Sequence, residues 1–104
     1  MSQPTYSLDA IRQATQNNNL RYDGRKVDKD IRNLGYTSED VKLCISQLTT
    51  SHFQKSLQYE NAIYDAYTFD YQKNDDAPID KIYMKLRLLP NGELVVVGIG
   101  SFHL

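Results

Sequence analysis

The sequence predicts an α+β domain in which N-terminal helices pack on an antiparallel sheet of about four strands. Three observations carry this expectation. Before Phe53 the apolar residues recur at three- and four-residue spacings. From Phe53 onward the period changes to two, and β-branched and aromatic residues accumulate. Helices therefore come first and strands second, within a chain of 104 residues that has room for one domain, expected over residues 1–104, and one modest core.

Taken in order, Ser7 is suited to cap a helix running from Leu8 to Asn18, with Leu8, Ile11 and Thr15 on one face and the run Asn17-Asn18-Asn19 to stop it. A short extended piece, Leu20 to Tyr22, leads to an Asp23-Gly24 turn. Val27, Ile31 and Leu34 at i, i+4 and i+7 predict a second helix over Val27 to Leu34, closed by Gly35. Thr37-Ser38-Glu39-Asp40 resembles a capping box, and Val41, Cys44, Ile45 and Leu48 form the stripe of a third helix.

In the strand half, Lys55 falls between Phe53 and Leu57, two apolar residues of its own parity, on an expected edge strand. A further strand fits Ile63 to Tyr71, and a polar loop, Lys73 to Asp80, follows it. The stretch Ile82 to Leu88 alternates cleanly, setting Ile82, Met84, Leu86 and Leu88 against Tyr83, Lys85 and Arg87. Pro90-Asn91-Gly92 predicts a hairpin turn with proline at its first corner. The partner strand, Leu94 to Phe102, carries three consecutive valines at 95–97, which predicts burial on both faces, and its Gly98 and Gly100 predict a bulge or a close approach.

Charge and composition are restrictive without being specific. A formal net charge of −1 provides no global field for nucleic acid or an anionic membrane, so any basic site must be local. No apolar run is long enough to span a bilayer, and the start of the chain lacks a basic segment followed by an apolar one, which predicts a soluble, cytoplasmic protein. The single cysteine, Cys44, reads as a buried small hydrophobe. With only His52 and His103 beside it, no metal site and no cofactor is expected. Asp75, Asp76 and Asp80 read as a solvated acidic turn. Phosphate-loop, nucleophile-elbow and zinc motifs are absent from the sequence.

The chemistry concentrates on Tyr83, Lys85 and Arg87. A phenol and two cations at steps of about 6.6 Å along one strand can hold phosphate oxygens and assist proton transfer during phosphodiester cleavage. Pattern alone favours the plainer reading of a solvated strand face. The same holds for Lys55, a phosphate-binding cation or a snorkelling edge lysine. His103 offers an acid, a base or a phosphate ligand, or is merely exposed near the chain end. Tyr59, Tyr64, Tyr67 and Tyr71 can stack on bases or form half-buried sheet surface.

The segments Leu48-Thr49-Thr50-Ser51-His52-Phe53-Gln54-Lys55-Ser56, Asp65-Ala66-Tyr67, Ile82-Tyr83-Met84-Lys85-Leu86 and Ser101-Phe102-His103, in that order, resemble the motility quorum-sensing regulator (MqsR) toxin family. The order and spacing of the upstream helices are similar too. The resemblance implies a RelE-like fold and a type II toxin-antitoxin toxin: a metal-independent endoribonuclease that cleaves messenger RNA and is held by a cognate antitoxin. It implies catalytic roles for Lys55 and Tyr83, which match the lysine and tyrosine of the family's catalytic set. Tyr64 stands where another member has glutamine, and His103 where it has lysine. A histidine can still supply a cation or proton, whereas a phenol cannot reproduce an amide's paired donor and acceptor. The expected site is thus Lys55, Tyr83 and His103 for catalysis, with Tyr64, Lys85 and Arg87 binding substrate. The competing expectation is a non-catalytic protein- or RNA-binding module of the same fold, since fold alone does not fix function.

Overall fold

A computed structural model describes residues 3–104, so the first two residues of the expected domain lie outside the described ones. Three helices pack on one face of a five-stranded mixed sheet, giving an α+β architecture. Helix α1 (Leu8–Gln16) starts where Ser7 accepts a hydrogen bond from the Ala10 N–H, and it buries Leu8, Ile11, Ala14 and Thr15. It ends two residues before the expected stop, because Asn18 already takes a left-handed φ of 62°. Helix α2 (Arg25–Asn33) buries Val27 and Ile31 and is left through Gly35 at φ 75°. Helix α3 (Ser38–Ser46) has the expected reciprocal cap, with the Asp40 N–H donating to Thr37 Oγ1 and the Thr37 N–H to the Asp40 carboxylate. Leu48 lies beyond its last turn yet is fully buried.

Between α1 and α2 lies β1 (Leu20–Tyr22), and after a single 3-10 turn (Thr50–His52) come β2 (Phe53–Gln58), β3 (Ile63–Tyr71), β4 (Asp80–Asn91) and β5 (Leu94–His103). Their spatial order is β1-β5-β4-β3-β2. The strand count and the all-antiparallel expectation are corrected together: Leu20–Tyr22 is a fifth strand, and it runs parallel to β5 with Leu20 opposite Val97. Three residues carry no readable period, and the partner strand sits at the far end of the chain.

The β4–β5 hairpin also departs from expectation. Asn91 pairs with Leu94, so Gly92 and Glu93 form the turn, and Gly92 supplies the positive φ of 67° at the first corner. Pro90 is a strand residue opposite Val95. Its missing N–H lies beyond the part of β4 that β3 covers, so no ladder bond is lost. Val97 is buried and β5 is an interior strand, but Leu94 and Val95 are exposed because the hairpin projects past β1. Valines at 95–97 are therefore not buried on both faces as a run.

The apolar face of the sheet, with Tyr67, Ile82, Met84, Leu86, Ile99 and Phe102, meets the helical stripes of Ile11, Ile31, Val41 and Ile45. Fully burying a side chain of this size contributes roughly 1.5–3 kcal/mol. Cys44 belongs to this core, and burial pushes its thiol up to about 12. No helix of the described residues is long and apolar enough to cross a membrane. The other face of the sheet carries no helix.

Candidate active site

Strand alternation puts Tyr83, Lys85 and Arg87 on this uncovered face, as the sequence predicts, and pairing across the sheet fixes their neighbours. One row runs Lys55, Ala66, Lys85, Ser101 across β2, β3, β4 and β5. The adjacent row runs Thr68, Tyr83, His103. At two strand spacings of about 4.8 Å, the Lys55 and Lys85 backbones stand about 10 Å apart with only an alanine between them.

Parity alone sets Lys55 beside Phe53, yet the two residues point to opposite faces. The register shifts at Gln54: Phe53 pairs with Tyr67 and Lys55 with Ala66, so one extra residue is accommodated as a β-bulge. Phe53 turns inward, its ring 5.7 Å from that of Tyr67. Gln54 and Lys55 both reach the uncovered face, where Gln54 Nε2 donates to Thr68 Oγ1 at 3.0 Å. Lys55 is exposed and has no hydrogen bond or ion pair among the described residues.

Tyr83 and His103 stack loosely, with ring centroids 5.4 Å apart and planes inclined at 32°. His103 Nδ1 lies 2.9 Å from the main-chain oxygen of Leu104. That oxygen can only accept, so Nδ1 carries the proton and Nε2 is the basic nitrogen of the neutral ring. Lys85 Nζ donates to Tyr59 Oη at 2.7 Å and lies over the same ring, 5.1 Å from its centroid. Tyr59 in turn meets Tyr64 edge to face at 5.9 Å.

Arg87 and Tyr64 are held differently. Arg87 Nε donates to Asp23 Oδ2 at 2.8 Å, Tyr64 Oη donates to the same oxygen at 2.7 Å, and Arg21 Nε donates to Asp23 Oδ1 at 3.0 Å. The Arg87 guanidinium also lies over the Tyr64 ring at 5.1 Å. Burial alone raises the Asp23 carboxyl, but the bonds from Arg87, Tyr64 and Arg21 outweigh it and hold the group below the usual carboxylate range. Arg87 is held above its ordinary value, chiefly by its bond to Asp23. Burial, then the Asp23 bond, pushes Tyr64 up to about 12.

Two glycines make this packing possible. A Cβ at Gly98 would meet Asp23 Oδ2 at 2.7 Å and Arg87 Cγ at 3.1 Å, and one at Gly100 would meet Tyr64 Cε1 at 2.5 Å. Gly100 is also the extra residue of a second bulge, between the Lys85–Ser101 and Leu86–Ile99 pairs. Both predicted outcomes, bulge and close approach, are present.

The structure thus brings Tyr83 and His103 together and aligns Lys55 with Lys85, while Tyr64 and Arg87 form a closed cluster around Asp23. Asp23, read from sequence as a turn residue, was missed because its partners lie 41 and 64 positions away. Tyr59 was visible only as one of several strand tyrosines. Tyr67 and Tyr71 are core residues and are not available for stacking. Asp80, on β4, accepts a hydrogen bond from Tyr36 Oη at 2.6 Å, and among the described residues no three His, Cys, Asp or Glu side chains form a ligand set.

Comparison with curated proteins gives no match. The profile of the family described as "Motility quorum-sensing regulator, toxin of MqsA" matches residues 3–103. Covering nearly the whole chain, and with it every strand of the uncovered face, this match establishes that the protein belongs to the MqsR toxin family.

Proposed function

We propose that the protein is the toxin of a type II toxin-antitoxin system and acts as a metal-independent endoribonuclease on single-stranded messenger RNA in the cytoplasm, restrained by a cognate antitoxin. The observation that carries this reading is the pair of adjacent rows on the uncovered face: two lysines flanking Ala66, beside the stacked Tyr83 and His103. A local cluster of this kind is what a chain of net charge −1 needs to hold a polyanion.

In the reaction, the ribose 2′-oxygen attacks the adjacent phosphorus and the bond from phosphorus to the 5′-oxygen breaks, leaving a 2′,3′-cyclic phosphate and a 5′-hydroxyl. His103 Nε2 accepts the 2′-hydroxyl proton, and the Tyr83 hydroxyl gives one to the departing 5′-oxygen. Lys55 and Lys85 stabilise the charge that grows on the phosphoryl oxygens. Arg87, with its Nε committed to Asp23, and Tyr64 border the substrate at the end of the row. Because the nucleophile belongs to the substrate, the scheme calls for no metal ion.

The test is incubation of the purified protein with a long single-stranded RNA in EDTA, beside the Lys55→Ala variant. Fragments ending in 2′,3′-cyclic or 3′-phosphate from the wild type alone are expected. Intact RNA from the folded wild type would leave a binding module in place of an enzyme, and equal cleavage by the variant would remove Lys55 from the site.

A further inference from the structure

At the opposite end of this face from Asp23, a cleft of about 240 Å³ is lined by Ser51, His52, Thr68, Phe69, Asp70 and Lys81. Thr68 joins it to the catalytic rows, because it pairs directly with Tyr83. Asp70 and Lys81 face each other across the β3–β4 ladder, and both are exposed. Among the described residues neither has a hydrogen bond or ion pair, in contrast to the carboxylate at the Arg87 end. The remaining wall is fixed: the His52 ring stands edge to face on Phe69 at 5.0 Å, and its Nδ1 accepts the Thr49 N–H at 2.9 Å. The neutral ring therefore carries its proton on Nε2 as a donor.

We infer that this cleft is a nucleobase subsite for the residue flanking the scissile phosphate, and that it selects bases bearing an exocyclic amino group over uracil. The inference rests on the ribonuclease reading above. An ionised carboxylate only accepts hydrogen bonds, so Asp70 suits the amino N–H of cytosine and is opposed by the carbonyl oxygens that flank the one N–H of uracil. Lys81 and the His52 Nε2–H supply donors for the ring nitrogen or carbonyl beside that amino group. A step of two residues along β4 takes the chain from Lys81 to Tyr83, so a base in the cleft leaves its phosphate beside the stacked Tyr83 and His103.

Cytosine and uracil differ in little except this edge, so the test compares oligocytidine with oligouridine. Both are made as 2′-O-methyl oligomers, which lack the nucleophile and cannot be cleaved, and binding is read by fluorescence anisotropy at one fixed salt concentration. The wild type is expected to bind oligocytidine about tenfold more tightly than oligouridine. Asp70→Asn, which offers both a donor and an acceptor, is expected to bring the two within about twofold, whereas Lys55→Ala weakens both alike. Equal binding of the two oligomers by the wild type, no binding of either, or a preference that survives Asp70→Asn would overturn the subsite. Cleavage of the matching unmodified RNA is scored separately, so failure of the ribonuclease reading is distinguished from failure of the base preference.

Discussion

The two ends of the uncovered face are built from similar residues and behave in opposite ways. At the Arg87 end, one carboxylate, Asp23, takes hydrogen bonds from Arg87, Tyr64 and Arg21, and its side chain is only 9% exposed. At the other end, Lys55, Asp70 and Lys81 stand exposed without partners among the described residues. A satisfied, half-buried cluster fixes geometry, because removing any member leaves another polar group desolvated and unpaired. Unpaired surface charges contribute little to folding, yet they remain free to meet a polyanion. The closed end thus pins the β1–β5–β4 corner, and the open end is where chemistry can occur.

The largest effect that separates the two ends is expected at Tyr83. Tyr83→Phe removes only a hydroxyl from a partly exposed side chain, so stability should stay within about 0.5 kcal/mol of the wild type. RNA cleavage should fall by roughly a hundredfold or more. A single-turnover rate close to that of the wild type would move proton transfer away from this residue and leave the open end without its proposed role.

Asp23→Ala should do the reverse and act first on the fold. Arg87 and Tyr64 would keep their burial and lose their acceptor, a loss of about 2–3 kcal/mol in urea denaturation. Gly98→Ala attacks the same cluster from beneath, since its Cβ would lie 2.7 Å from a carboxylate oxygen that three bonds hold in place. A loss of about 1–2 kcal/mol is expected. If Asp23→Ala and Gly98→Ala destabilise additively, the two do not act through one cluster, because residues in contact should couple.

How much of this was legible in the sequence follows the range of the interactions involved. Helix α3 was readable because its cap and its stripe are local, and β4 because strict alternation sorts Tyr83, Lys85 and Arg87 from Met84 and Leu86 without help from elsewhere. The face of Lys55 was not readable: alternation sets it with Phe53, and only the bulge at Gln54 reverses that. Strand β1 is too short to show a period, and its parallel partner is the last strand of the chain. The difference between Lys85, bonded to Tyr59, and Arg87, bonded to Asp23, depends on side chains far away in sequence, so two cations that look equivalent in the alternating pattern have different environments.

The smallest effect expected lies in the acid limb of stability. Asp23 has a folded pKa below its unfolded value, so its contribution is present above the unfolded pKa, near 3.8, and is lost as pH falls through the lower, folded one. It does not act alone. Burial raises the Asp40 carboxyl, but the Thr37 N–H, the Tyr71 hydroxyl and the Thr37 hydroxyl hold it low, and Asp30 is lowered at the surface by its bond to Lys26. Asp23→Asn should therefore make the fall in stability below pH 4 shallower without abolishing it, as measured by urea midpoints from pH 5 to pH 2. An acid limb as steep as that of the wild type would mean that Asp23 is no lower in the folded chain than in the unfolded one. The closed end would then hold its geometry by packing around Gly98 and Gly100 and not by charge.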